Sequence, residues 1–207
     1  MIRAIFLDVD GTLISFSTHE IPASARRALT QAHERGVRLF IATGRAANDL
    51  GPLEGIPYDG VVSLNGARCV ANDGRVVSLH PIPRADFERA LALSEEQDFA
   101  MGLELEEGVF VNRVTPDVKR VAHMVAHPVP EQTDLRELFG RVECCQLCFY
   151  FDAETQRRVM AELPTLVASR WCPIFADVNV AGIDKATGME EFMRSYGFSA
   201  AEVAAFG

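Results

Sequence analysis

The sequence has no apolar run long enough to cross a bilayer, and its first aspartate already arrives at position 8, where an export signal would need an apolar stretch. A membrane-spanning or leader-directed protein is therefore not expected. Positive charge is also scarce: 20 Lys and Arg stand against 29 Asp and Glu, a formal net charge of −9. Nucleic acid and anionic lipid both disfavour an acidic face, so neither is expected as a partner. A small anionic substrate stays open, because local charge at a site can oppose the global balance. Cysteine is sparse as well. The five, Cys69, Cys144, Cys145, Cys148 and Cys172, are odd in number and lie mostly in apolar runs, which reads as reduced thiols and not as a disulfide framework. These absences together place the expected location in the cytoplasm. No internal repeat or low-complexity tract is seen. What is present is 207 residues, enough for one large or two small domains with a substantial core.

The apolar patterning predicts alternating strands and helices. Ile5 to Leu7 begins a strand apolar on both faces, as in a parallel sheet covered on two sides. Residues 22–35 read as a helix, with Pro22 in its first turn and Gly36 at its end. VRLFIA (37–42) is a second buried strand and residues 61–64 a third. This is the pattern of a doubly wound, Rossmann-like α/β sheet. Asp73-Gly74 signals a hairpin, and Pro81 and Pro83 a linker. From about residue 84 the rhythm becomes α+β: helix 84–97, strands 99–105 and 109–112, helices 116–126 and 131–139, strand 142–151, helix 153–163, strands 166–171 and 174–180. A helix from Lys185 to Gly197, a turn capped by Ser199 and a fourth core strand at 203–206 follow. The predicted organisation is a core from residues 1–80 and 179–207 with an inserted α+β domain at 81–178.

Three predicted strands end in polar, glycine-containing turns: DVDGT, TGR and, at Asn65-Gly66, NG. Ligands of open α/β sheets bind at that carboxyl edge. If the first strand persists to residue 10, Asp8 and Asp10 share one side and Val9 takes the other. Two carboxylates aimed at one point repel, and a divalent cation with oxygen ligands, such as Mg2+, relieves that. The blander reading is a turn pair. Thr43, with the exposed backbone at Gly44, can hold phosphate oxygens, and the alternative is an ordinary strand-to-helix turn with Arg45 solvated. Lys185 opens a helix, where a cation opposes the macrodipole unless an anion sits beside it. Otherwise it is a surface lysine.

IFLDVDGTLI at 5–14, ATGR at 42–45, SLNGA at 63–67 and GIDKATG at 182–188, in that order, resemble the haloacid dehalogenase-like hydrolases, and within them the Cof-type sugar-phosphate phosphatases with a large α/β cap. The resemblance covers about half the chain, and the insert matches the cap by position and size only. It implies a small phosphorylated metabolite as substrate, hydrolysed with Mg2+ through an aspartyl-phosphate. Asp8 would be the nucleophile and a magnesium ligand. Asp10 would protonate the leaving oxygen, then deprotonate water, and give magnesium its backbone carbonyl. Thr43 would bind the phosphoryl group, with Gly44, Arg45 and Asn65 at the substrate, and Lys185 would neutralise shared negative charge. The cap would set specificity and could close over the core to exclude water. A phosphomutase of the same fold and a non-catalytic binding protein are the competing readings. The second arises because the family's last acidic motif begins just after a stretch like AAFG (204–207), so these 207 residues are expected to stop short of one magnesium ligand, to bind the ion weakly, to be inactive in this form and to leave a sheet edge open to self-association. Oligomeric state is not fixed by these residues.

Three further features read as structural. Cys145-x-x-Cys148 has the spacing of a redox or zinc half-site but sits in the strand-like ECCQLCFYF without a second pair. His123 and His127 are spaced to share a helix face, with Met124 where a zinc-protease motif has glutamate. Glu104, Glu106 and Arg113 of the insert read as solvated surface, the alternative being that they face the substrate from the cap.

Overall fold

Short apolar strands separated by turn residues build the first sheet. The structure, a computed structural model, describes residues 1–15, 17–18 and 20–207. β1 (Ala4–Leu7), α1 (Ala23–Glu34), β2 (Arg38–Ala42) and β3 (Gly60–Ser63) follow one another, with β1, β2 and β3 parallel. The chain then reverses through β4 (Arg68–Ala71) and β5 (Val76–Leu79), both antiparallel to their neighbours and joined at the Asp73-Gly74 turn. Gly74 has φ of 85° there, a conformation glycine adopts without a Cβ clash.

The next elements form a unit of their own, His80–Gly182. They are α2 (Arg84–Glu96), β6 (Ala100–Leu105), β7 (Gly108–Val111), α3 (Pro116–Met124), β8 (Glu131–Gln132), α4 (Leu135–Phe139), β9 (Gln146–Tyr150), α5 (Ala153–Met160), β10 (Leu166–Cys172) and β11 (Phe175–Val180). The strand order is β10-β11-β9-β6-β7-β8, antiparallel throughout except for the parallel pair β7 and β8. One face carries a large apolar core, in which Phe87, Leu135 and Val159 from three helices meet Met101, Leu103, Leu147 and Phe149 from the strands. The other face carries a smaller cluster around Val118 and Val121 of α3, with Tyr150 and Phe175.

The elements between residues 131 and 151 differ most from the sequence expectation. The helix expected at 131–139 is a two-residue strand followed by one short helix. Thr133 N–H pairs with the Val111 carbonyl, and Asp134 then caps α4 by accepting from the N–H groups of Arg136 and Glu137. The capping preference of Asp134 sets the helix start at Leu135. The long strand expected at 142–151 is only β9, because the Cys144 carbonyl instead accepts from Ile82 N–H, outside the ladder.

The chain then returns to the first sheet with α6 (Lys185–Tyr196) and β12 (Val203–Phe206), which pairs in parallel with β1. This second compact unit comprises Met1–Leu79 and Ile183–Gly207, with strand order β12-β1-β2-β3-β4-β5. One apolar cluster gathers Leu29 of α1 with Leu39, Ile41 and Val61, and another gathers Phe192 of α6 with Phe6, Phe40 and Val62. Period-two alternation along the strands thus feeds both faces of the sheet. Phe40 stacks against Phe6 at 4.9 Å and meets Phe192 at 4.7 Å between ring centroids.

Candidate active site at the carboxyl edge of the parallel strands

β1 ends at Leu7, so the condition for period-two geometry to set Asp8 and Asp10 on one side is not met. Asp8 N–H still donates to the Phe206 carbonyl (2.9 Å), but its own carbonyl turns to accept from Leu13 N–H (3.3 Å). The next carbonyl, of the buried Val9, accepts from Ile14 N–H at 2.9 Å. Val9 anchors the turn in the core, and Gly11 at φ 80° lets the chain reverse. The two carboxylates flanking Val9 end on two different cations.

Asp8 takes the lysine. Lys185 Nζ donates to Asp8 Oδ1 at 2.8 Å, across 177 residues of sequence. Both side chains are partly buried, so solvent screens the pair less than a surface ion pair. Lys185 is the first residue of α6, where the helix macrodipole disfavours a cation, and the Asp8 carboxylate offsets that. Its position is set by a capping box: Asp184 Oδ1 accepts from Thr187 N–H, and Thr187 Oγ1 accepts from Asp184 N–H. The helix start is further fixed by Gly66. At φ 100° with the Asp184 carbonyl oxygen 1.9 Å from where a Cβ would stand, this position admits no side chain.

Asp10 takes Arg45. The guanidinium donates from Nε to Asp10 Oδ2 (3.0 Å) and from Nη2 to Oδ1 (2.7 Å). Its Nη1 turns to Asp49, meeting Oδ2 at 3.2 Å and the backbone oxygen at 3.3 Å. The hydrogen bond to Asp10 is the main reason that Arg45 is held as a cation even more firmly than an ordinary arginine.

The turns after β2 and β3 are tied to one another. Thr43 is fully buried. Its Oγ1 accepts from Arg45 N–H (3.1 Å), its N–H donates to the Val62 carbonyl (2.8 Å), and its carbonyl accepts from Asn65 N–H (3.1 Å). Leu64 N–H donates to the Arg45 carbonyl at 3.1 Å. Gly44 faces Asn65 so closely that a Cβ there would stand 3.0 Å from Asn65 Oδ1. Asn65 itself is left-handed, φ 56°. The structure therefore joins Asp8 with Lys185, Asp10 with Arg45, and Thr43 and Gly44 with Asn65, all at the ends of β1, β2 and β3. Sequence reasoning missed Asp49, the second anchor of Arg45, and the Asp184/Thr187 box. The four-residue spacing from Arg45 and the D-x-x-T pattern were the available signals.

The features read as structural divide differently. α3 ends at Met124, so His127 lies beyond the helix and does not share a face with His123. Burial pushes the Cys144 thiol up to about 12 and the Cys148 thiol well above its ordinary range, which makes both poor nucleophiles. Arg113 pairs with Asp98, and Glu106 is exposed. Glu104 is not solvated surface. It is partly buried and accepts from the buried Gln146 amide at 2.6 Å, and the same amide donates to Asp177 at 3.2 Å. Ligand-type atoms of Glu104, Cys148 and Asp177 lie within 4.8 Å of one another.

A mixed sheet with four parallel strands and helices on both faces, its acids, hydroxyl and lysine gathered past the carboxyl ends of the parallel strands, defines an enzyme of the Rossmann-like α/β class. The family model described as haloacid dehalogenase-like hydrolase matches residues 5–207, and the chain belongs to that family, in its Cof-type branch. Among solved structures, BT1666 from Bacteroides thetaiotaomicron, described among phosphatases of this superfamily, is 53% identical with a TM-score of 0.94, over 99% of this chain and 76% of its own. The subclass IIB sugar phosphatase BT4131 is 30% identical with a TM-score of 0.86, over 98% of this chain and 79% of its own. Protein YkrA of Bacillus subtilis (strain 168) is 26% identical over 99% of this chain and 79% of its own length. The chain is accordingly a hydrolase, and its structural relatives include phosphatases.

Proposed function

We propose that the protein is a magnesium-dependent phosphatase for a small phosphorylated metabolite, a sugar phosphate or a similar ester, acting through an aspartyl-phosphate on Asp8. The observation that carries this reading is the 2.8 Å contact between Lys185 Nζ and Asp8 Oδ1. A lysine so placed holds the carboxylate in one orientation and balances charge when a phosphoryl group arrives. A carboxylate oxygen of Asp8 attacks phosphorus, and the leaving oxygen departs with a proton from Asp10. Water, giving a proton to Asp10, then attacks the same phosphorus, and Asp8 is released as a carboxylate. Splitting the displacement in two replaces one difficult step by two easier ones. The buried Thr43 hydroxyl and the Gly44 backbone serve the phosphoryl oxygens, and Arg45 and Asn65 line the same edge.

The donors at the first turn, the Asp8 carboxylate and the Asp10 backbone carbonyl, are all oxygen, the set that fits a hard divalent cation such as Mg2+. These two groups would hold it, and it would neutralise charge on the transferring phosphoryl group. Substrate choice is assigned to the His80–Gly182 unit, with no nucleic-acid or membrane partner. A panel of phosphate esters with Mg2+ tests the reading. Phosphate release should appear on at least one ester and fall by roughly 10³-fold or more in Asp8→Asn. An inert wild-type protein across the panel, or undiminished release by Asp8→Asn, contradicts it.

A further inference from the structure

We infer that Arg45 is the positioning residue for Asp10 in the second half of the reaction, when water attacks the phosphorylated Asp8. The inference rests on the phosphatase reading above. The residue sits in ATGR, where its charge invites assignment to the substrate phosphate. Its geometry argues otherwise. All three guanidinium nitrogens are engaged, two on the oxygens of Asp10 and the third on Asp49. These bonds already take most of its five N–H donors.

Two parallel N–H···O bonds fix the plane of a carboxylate as well as its position. Asp10 needs such fixing, since its side chain is 45% exposed in the turn beyond β1. Arg45 is itself immobilised at both ends. Its backbone N–H donates to the buried Thr43 hydroxyl, its carbonyl accepts from Leu64, and Asp49 holds the tip of its side chain. The clamp therefore refers the Asp10 carboxylate to the rigid ends of β2 and β3. Because a guanidinium only donates, the two-bond clamp is complete when Asp10 carries no proton. That is its state after the leaving oxygen has taken one. The carboxylate then accepts a proton from water as the water oxygen bonds to phosphorus. The phosphorus–Asp8 bond breaks, its electron pair returns to Asp8, and inorganic phosphate leaves. Asp10 keeps the proton for the next leaving oxygen.

This role separates two kinetic constants. With p-nitrophenyl phosphate the leaving oxygen needs no proton, so kcat/KM, which reports steps through its departure, depends little on Asp10. Hydrolysis of the aspartyl-phosphate enters kcat alone. With Mg2+ and this ester, Arg45→Met should lose about 10- to 100-fold in kcat, with KM falling in parallel and a burst of nitrophenolate close to one per active site. Arg45→Lys keeps the charge without the paired bonds and should recover only part of kcat. Asp49→Asn, which loosens the anchor from outside the reacting groups, should show the same fall of kcat and KM on a smaller scale, and it carries the test if Arg45→Met does not fold. A raised KM with kcat held in these variants makes Arg45 a substrate ligand and overturns the inference. Equal loss in kcat and kcat/KM without a burst, or unchanged kinetics, overturns it too. A wild-type protein that releases nothing from any ester removes the phosphatase reading itself, an outcome distinct from either.

Discussion

The two units keep their polar groups in different places. In the unit built from Met1–Leu79 and Ile183–Gly207, Asp8, Asp10, Thr43, Arg45 and Asn65 all lie past the ends of strands. In the His80–Gly182 unit, Glu104, Gln146, Cys148, Asp177 and Asn179 lie within β6, β9 and β11, paired across the sheet as Glu104↔Gln146 and Asp177↔Cys148. A turn can aim a charge at a ligand while the strands below it stay apolar. A polar group in the middle of a sheet is instead bound by its neighbours, because burying it without a hydrogen bond is costly. The first unit keeps its candidate-site groups past the strand ends, and the second places its polar cluster within the strands.

The sharpest way to break that separation is to disturb a place where packing and site meet. Gly66→Ala puts a Cβ onto the Asp184 carbonyl, which is backbone and cannot swing aside. The expected cost is about 2–4 kcal/mol, a melting temperature lower by roughly 5–15 °C, and reduced phosphate release as Lys185 moves off Asp8. Calorimetry and the ester assay together check it. Unchanged stability and activity would mean that the start of α6 is not fixed by this close approach. A smaller effect is expected in the other unit. Gln146→Leu removes the amide that donates to both Glu104 and Asp177 and should cost about 1–3 kcal/mol in urea unfolding. A neutral result would show that these carboxylates do not depend on it.

Legibility follows the same division. The turns of the first unit are legible in sequence because their chemistry demands particular residues at fixed offsets: D-x-D-G, T-G-R, N-G, and a lysine at a helix start. The partner of each was less visible. Arg45 meets Asp10 across 35 residues, and nothing local to either names the other. The end of β1 is not marked in the sequence, because Val9 is apolar and buried after the ladder has already turned away. In the second unit Glu104 alternates with Leu103 and Leu105, the pattern of a half-solvated strand. Its burial depends on β9, some forty residues later. The same holds for ECCQLCFYF, whose continuous apolar character conceals both the late start of the strand and the buried Gln146.

The central claim is that Asp8, held by Lys185, becomes phosphorylated. Rapid mixing of the protein with p-nitrophenyl phosphate and Mg2+, quenching within a turnover and reducing with borohydride, converts an acyl phosphate on aspartate to homoserine. Peptide mass spectrometry should find homoserine at position 8, at higher yield in Arg45→Met, where the second step is slowed. Unmodified Asp8 during active turnover, or homoserine at position 10 instead, would contradict the account.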